Sequence, residues 1–329
     1  MNTSTLTTLQ EINLDFVNHK NDEFEEAIIK TLAYFNIFDY PLTAQEIYNY
    51  LWSPHKSGFG QEETKRALEN GIKKIAEQNG YYFLAGRQEI VELRKQRQAV
   101  AQEKYKKAQK IVKRLSVLPY IKMIAVCNSL AFNNAREDSD IDLFIITAKD
   151  KIWTARFYAN TLLQFLGLRP EEDDKKDKIC LNFFISEDRL NLESLTIDED
   201  IYFVFWLNQL VPLYDERNFS DQLVAQNQWA GKFLNSGLTK LDTSRMVKIS
   251  RRRRIIKRVN EKINKFKIIE KLLRVFQMKI MPQKIIDKMN QGTDVIITDE
   301  ILKFHYDDRR KEFRDRFKEK IAQLVNGKN

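Results

Sequence analysis

Cysteine is almost missing from this chain: Cys127 and Cys180 are the only two in 329 residues. Two cysteines supply neither a disulfide framework nor a tetrahedral zinc site. Both lie inside apolar runs that read as strands, where a free cysteine behaves as a small buried hydrophobe. Glycine and proline are scarce, at 10 and 6, which argues against an all-β sandwich stitched by tight turns. Histidine occurs three times, as His19, His55 and His305, too scattered to suggest a metal cluster. No stretch approaches the roughly 18 consecutive apolar residues of a membrane span. No initial segment has the charged, apolar and small-residue order of a signal peptide. These absences predict a chain of the reducing cytoplasm without a transmembrane segment.

Apolar residues make up 43% and charged residues 31%. That is enough for packed cores, and with so little glycine and proline it favours helices. The length suits two or three domains. The net charge of +9 is unevenly spread. Residues 245–288 hold sixteen Lys and Arg against Glu261, Glu270 and Asp287, a net of +13. Residues 91–118 carry nine against Glu92 and Glu103, a net of +7. Such asymmetry suggests a polyanionic partner, although a solvated helix face is also basic. Nothing in the sequence reports an oligomeric state.

Residues 1–20 lack a clear period and read as a loose tail. Phe24, Ile28, Leu32 and Phe35 recur at helical spacing. Thr43 and Glu46 form a capping box for a second helix, stapled by Leu42 and Ile47. Pro54 to Gly60 reads as a loop. A third helix is expected over 61–78, with Ala67, Leu68, Ile72 and Ile75 inward. A turn at Asn79-Gly80 and a strand at Tyr81 to Leu84 follow. Three helices and a small hairpin suggest a winged helix-turn-helix over 1–87. Acids in the second and third helices (Glu46, Glu62, Glu63, Glu69) favour a docking or dimerisation role over DNA readout. A basic linking helix spans 88–117.

After Pro119, residues 121–126 read as a buried strand. Cys127-Asn128-Ser129-Leu130-Ala131 is a short turn. Asp138-Ser139-Asp140-Ile141-Asp142 then opens a second strand through Thr147. Alternate strand residues share a face, so Asp140 and Asp142 point the same way. Two adjacent carboxylates near a core repel each other and lose hydration. A divalent cation relieves both costs, and oxygen ligands suit Mg²⁺. A lone Asp-x-Asp can equally cap a loop. Here a strand, a serine-bearing turn and a spacer precede it, with Ser129 eleven positions before Asp140.

This pattern resembles the signature of the DNA polymerase β-like nucleotidyltransferases, over roughly residues 118–190. More loosely, the chain resembles bacterial proteins that join an N-terminal winged helix to such a core. The resemblance implies an α+β fold: a winged helix, a nucleotidyltransferase core over 118–195 and a helical C-terminal domain over 196–329. It implies that Asn128 and Ser129 hold nucleotide phosphates, and that Asp140 and Asp142 hold Mg²⁺ or Mn²⁺ on a nucleoside triphosphate. The third catalytic carboxylate belongs on the strand Ile179 to Ile185, where the central polar residue is Asn182. An amide can ligate a metal but cannot act as a base; Asp177, at the strand start, is an alternative. The turn glycine is replaced by Asn128, which tolerates a left-handed backbone but adds bulk.

A helix is expected over Trp153 to Leu166, ended by Gly167, and the acid–base run Glu171 to Lys178 reads as a solvated loop. Helices are expected at 198–210, 221–234 and from Lys303 onward. Trp206 and Trp229 read as core. The basic segment contains Arg251, Arg252, Arg253, Arg254, Lys257 and Arg258, with apolar residues from Ile255 to Ile269 interspersed at near-helical spacing. Such a helix can contact nucleic-acid phosphates, pack with a solvated face, or lie on an anionic membrane. The expected function is therefore Mg²⁺-dependent transfer of a nucleotidyl group from a nucleoside triphosphate to RNA, protein or a small molecule. The alternatives are a catalytically weak nucleotide-binding regulator, and a nucleic-acid-binding protein using the winged helix and the basic helices.

Overall fold

The computed structural model describes residues 22–53, 58–171 and 173–326. The expected tail, His19, His55 and most of the loop before Gly60 lie outside the described residues. The chain is a mixed α+β protein, and among the described residues no helix is long and apolar enough to cross a membrane. It divides into two compact units. The first holds residues up to Arg94 together with Trp229–Gly237 and the chain from Asp315; the second holds Lys95–Gln228 and Leu238–Arg314.

In the first unit, α1 (residues 22–36) buries Phe24, Ile28, Leu32 and Phe35, the face its spacing predicts. Helix α2 (Ala44–Tyr50) starts on the expected capping box: Glu46 N donates to Thr43 Oγ1, and Thr43 N donates to Glu46 Oε2 at 2.9 Å. Helix α3 (Gln61–Glu69) is shorter than its sequence pattern predicts. Gly71 and Lys74 take φ of +83° and +79°, which no helix continues through. Ile75 therefore opens a strand, β1 (Ile75–Gln78), paired antiparallel with β2 (Tyr81–Leu84). Asn79 and Gly80 both have positive φ, as a two-residue hairpin turn requires. Leu42 adds a bridge to Tyr82. Arg94 lies buried over the Tyr40 ring and makes a fork–fork pair with Glu46, 2.8 Å to each oxygen.

Helix α4 (Glu89–Leu115) matches the expected basic helix. The second unit is built on β3 (Ile121–Val126), α5 (Asn128–Ala131), β4 (Ile141–Thr147), α6 (Ile152–Phe165) and β5 (Ile179–Ser186). There follow α7 (Ile201–Asn208), β6 (Val211–Asp215), α8 (Phe219–Gln226), α9 (Arg251–Ile263), α10 (Lys267–Lys279) and α11 (Gln283–Ile286). Strands β7 (Val295–Ile297) and β8 (Ile301–Phe304) precede α12 (Arg310–Asn326), whose later residues group with the first unit.

The six strands form one mixed sheet in the order β6-β3-β4-β5-β8-β7. Only the β4–β5 pair is parallel, and α6 supplies the crossover. The central strand β4 is covered on both faces, so its run from Leu143 to Thr147 is almost wholly buried.

The stretch 196–329, expected as a helical domain, carries helices α7 to α12 and strands as well. It contributes β6, β7 and β8, half of the sheet. Strand β6 carries Pro212 and sits at the sheet edge, where a missing N–H is tolerated. Its five residues show too little alternation to stand out after a helix. Lys303 and Phe304 belong to β8, and the final helix starts only at Arg310.

Candidate functional site

Asp140 and Asp142 do converge. Their carboxylates lie with the Cys180 thiol in one group whose ligand atoms are all within 4.8 Å of one another. Three features of the fold bring this about. Asp142 sits in β4 and Asp140 just before it, two positions apart, on one face. The parallel register sets Asp142 opposite Cys180. Lys104, buried on α4, donates to the carbonyls of Glu137 and Ser139 at 3.1 and 2.6 Å, which fixes the loop entering β4.

Cys180 is a site residue the sequence did not reveal: it is half-buried and faces the carboxylates instead of filling the core. A β-bulge explains the placement. Asp142 pairs with Cys180 but Phe144 pairs with Phe183, so β5 has one extra residue in between. The bulge keeps Cys180 beside Asp142 and sets the Phe183 ring against Phe144, with centroids 5.1 Å apart. Asn182, expected in the third position, is one step removed. Its Oδ1 accepts from the Cys180 thiol at 2.8 Å. The other candidate, Asp177, turns to Lys104 at 3.0 Å and to Lys107. Partial burial would raise its pKa, but the lysines' hydrogen bonds and charge pull it down overall. Among the described residues it is not part of the group formed by Asp140, Asp142 and Cys180.

The electrostatics are those of a crowded anionic site. Burial pushes the Asp142 pKa up to about 7, and repulsion from Asp140 adds to it; hydrogen bonds from Asn128 and Cys180 act against the shift. Burial also raises Asp140. Burial and the two carboxylates push the Cys180 thiol far up, so it stays protonated. A neutral thiol is a poor ligand for a hard cation. The donor set that fits Mg²⁺ or Mn²⁺ is therefore the carboxylate pair, with Cys180 as a hydrogen-bonding neighbour.

Asn128 has φ +56°, the left-handed backbone that a glycine would take without strain. Its side chain is engaged: Oδ1 accepts from Tyr202 Oη at 3.2 Å and Trp206 Nε1 at 3.1 Å, while the amide supports Asp142. The Asn128 side chain is thus already committed to Tyr202, Trp206 and Asp142, leaving only its backbone open to the expected phosphate contact. Ser129 is half-buried in the first turn of α5, a helix of four residues. Trp206 is buried and stacks on Phe183 and Phe203, the core role predicted for it. His305 is held neutral by burial, its pKa lowered to about 3, and packs its ring edge-on to Phe183.

The basic residues expected at nucleic acid are not one surface. Lys257 is buried and donates to the Ile121 carbonyl, Tyr214 Oη and Glu216, so it is withdrawn from that role. Arg251, Arg252 and Arg258 are exposed, whereas Arg253 and Arg254 bond to the carbonyls of Lys113 and Ile249. Arg254 and Arg258 border a cavity of about 790 Å³ whose wall also carries Glu216 and Glu261.

No protein-family model, curated protein or solved structure matches the chain.

Proposed function

We propose that this chain is a polymerase β-like nucleotidyltransferase with an N-terminal winged-helix-like module, and that it binds a nucleoside triphosphate with Mg²⁺ or Mn²⁺ at Asp140 and Asp142. The observation that carries the reading is the convergence of the two carboxylates, with the Asn128 side chain bonded to Asp142. A bound divalent cation would neutralise the pair and the phosphates together, the electrostatic part of phosphoryl-transfer chemistry. Asp140 and Asp142 would hold the ion, the backbone at Asn128 and Ser129 would orient phosphate, and Lys104 keeps the loop before Asp140 in place. In the first unit, the acids on α2 and α3 favour docking to protein over reading DNA.

The site lacks one part. Among the described residues, the group around Asp140 and Asp142 contains a thiol where a third carboxylate would stand. A neutral thiol or amide cannot take the proton from an attacking hydroxyl. This favours a slow transferase, or a regulator that binds nucleotide without turning it over.

The test is thermal unfolding of the full chain with nucleoside triphosphate and Mg²⁺. A ligand that binds only the folded state adds about 2.7 kcal/mol at a hundredfold excess over its dissociation constant. We expect a clear rise in Tm for the native chain and none for Asp140→Ala. A rise that survives Asp140→Ala, or none in the native chain, removes the assignment. Transfer activity follows from the same logic. Restoring a carboxylate by Cys180→Asp should raise turnover with labelled triphosphate by about 10²-fold or more, the usual contribution of a placed base; Asn182→Asp should give less. If Asn182→Asp is the better enzyme, the third position belongs to Asn182.

A further inference from the structure

Helices α9 and α10 are amphipathic in the inverse sense. Residues of α9 that face the protein are polar: Lys257 is buried against Glu216, Asn260 donates to the Val117 carbonyl, and Glu261 accepts from Tyr120 N at 3.1 Å. On α10, Glu270 accepts from the first backbone N–H groups of α6, and Gln277 bonds to the Trp153 carbonyl and to Arg156. The apolar residues of α9 point out: Ile255, Ile256, Val259 and Ile263, the last 63% exposed. On α10, Ile268, Leu272, Val275 and Phe276 do the same, with Val275 at 66%. Phe266, between the helices, is also exposed. Single exposed hydrophobes are ordinary, but an exposed apolar stripe on each of two successive helices marks a surface that is covered in use.

The charges indicate what covers it. Every exposed charged side chain on the two helices is Lys or Arg, while Glu261 and Glu270 are turned inward. By helical spacing, Arg254, Arg258 and Lys262 form a row along one edge of the α9 stripe, and Lys267, Lys271 and Arg274 along one edge of the α10 stripe, Arg274 being paired with Asp299 at 2.9 Å. An apolar stripe edged by cations is the pattern of a helix lying at the boundary between lipid headgroups and acyl chains.

We propose that α9, α10 and the link between them dock on an anionic membrane surface. The apolar side chains enter the acyl boundary and the basic rows meet the headgroups. A second copy of the chain fits less well, because it brings like-charged rows together. Nucleic acid takes up the charge but leaves the apolar stripe in water.

Flotation of the full chain with vesicles tests this. Phosphatidylcholine vesicles containing phosphatidylglycerol should carry the protein at low salt, pure phosphatidylcholine vesicles much less, and high salt should release it. Leu272→Glu with Val275→Glu should reduce partitioning by about a hundredfold or more, since it buries two charges at the lipid boundary. Arg251→Gln with Arg258→Gln should weaken it by about fivefold per charge removed. Both pairs are exposed, and circular dichroism melts of each variant check that the fold is kept. No flotation on the anionic vesicles, or flotation indifferent to the Leu272 and Val275 changes, overturns the proposal. So does either alternative without flotation: a dimer in sedimentation that those changes split, or retention on duplex DNA or RNA.

Discussion

Asp142→Asn should make the metal-free chain more stable at about pH 8, by up to about 4 kcal/mol. This buried carboxylate is a folding liability. Burial and Asp140 raise its pKa from 3.8 to about 7. The folded state then holds this proton more tightly than the unfolded state does. Below about pH 4 both states are protonated and the site costs nothing. As pH rises toward 7 the unfolded chain gives up the proton freely while the folded chain resists, so stability falls across that window. Asn carries no proton to lose, so the slope attributable to this position should vanish, leaving only the smaller one from Asp140. Denaturant unfolding from pH 4 to 8, with and without Mg²⁺, measures it. In the native chain Mg²⁺ should recover the lost stability above about pH 7, because the ion replaces the proton as partner of the pair; in Asp142→Asn it should recover much less. Equal stability of the two proteins at about pH 8 would mean that water reaches Asp142 freely.

Arg310→Met should cost about 3–5 kcal/mol, the usual loss when one partner leaves a buried ion pair. Arg310 is 4% exposed. Its guanidinium donates to Asp200 Oδ2 and the Leu195 carbonyl at 2.8 Å, to Thr293 Oγ1 at 2.7 Å and to Asp308 at 2.9 Å. Without it Asp200, whose pKa burial already raises, stays buried with its charge less compensated. Asp200 is also the N-cap of α7, donated to by Phe203 N at 3.0 Å, and α7 carries Tyr202 and Trp206 to Asn128. The loss should therefore appear in chemical denaturation and in weaker triphosphate-dependent protection of the same variant. Arg310→Lys should recover part of the stability, since one ammonium cannot make the whole fork. A variant as stable as the native protein would show that Asp200 finds other partners.

Much of the local structure was legible in the sequence, for reasons confined to a few residues at a time. The Thr43 and Glu46 cap, the spacing in α1, the apolar run of β4 and the Asp140–Asp142 pairing each depend on short-range geometry. Strands β6, β7 and β8 are three to five residues long and hide beside helical patterns, so the sheet's outer half was not visible. Gly71 and Lys74 end the third helix early, because backbone with positive φ outweighs the apolar spacing of Ile72 and Ile75.

The sequence by itself determined that two carboxylates share one face at the start of a buried strand, since side-chain alternation is local. Only the tertiary structure decided what stands beside them. The parallel register and the bulge in β5 put Cys180 there, and helix α4 takes Asp177 away through Lys104 and Lys107. It likewise decided that α9 and α10 turn their polar residues inward. Helical spacing tells which residues lie together on a face; the buried partners Glu216, Tyr120, Trp153 and Arg156 choose which face is held against the protein.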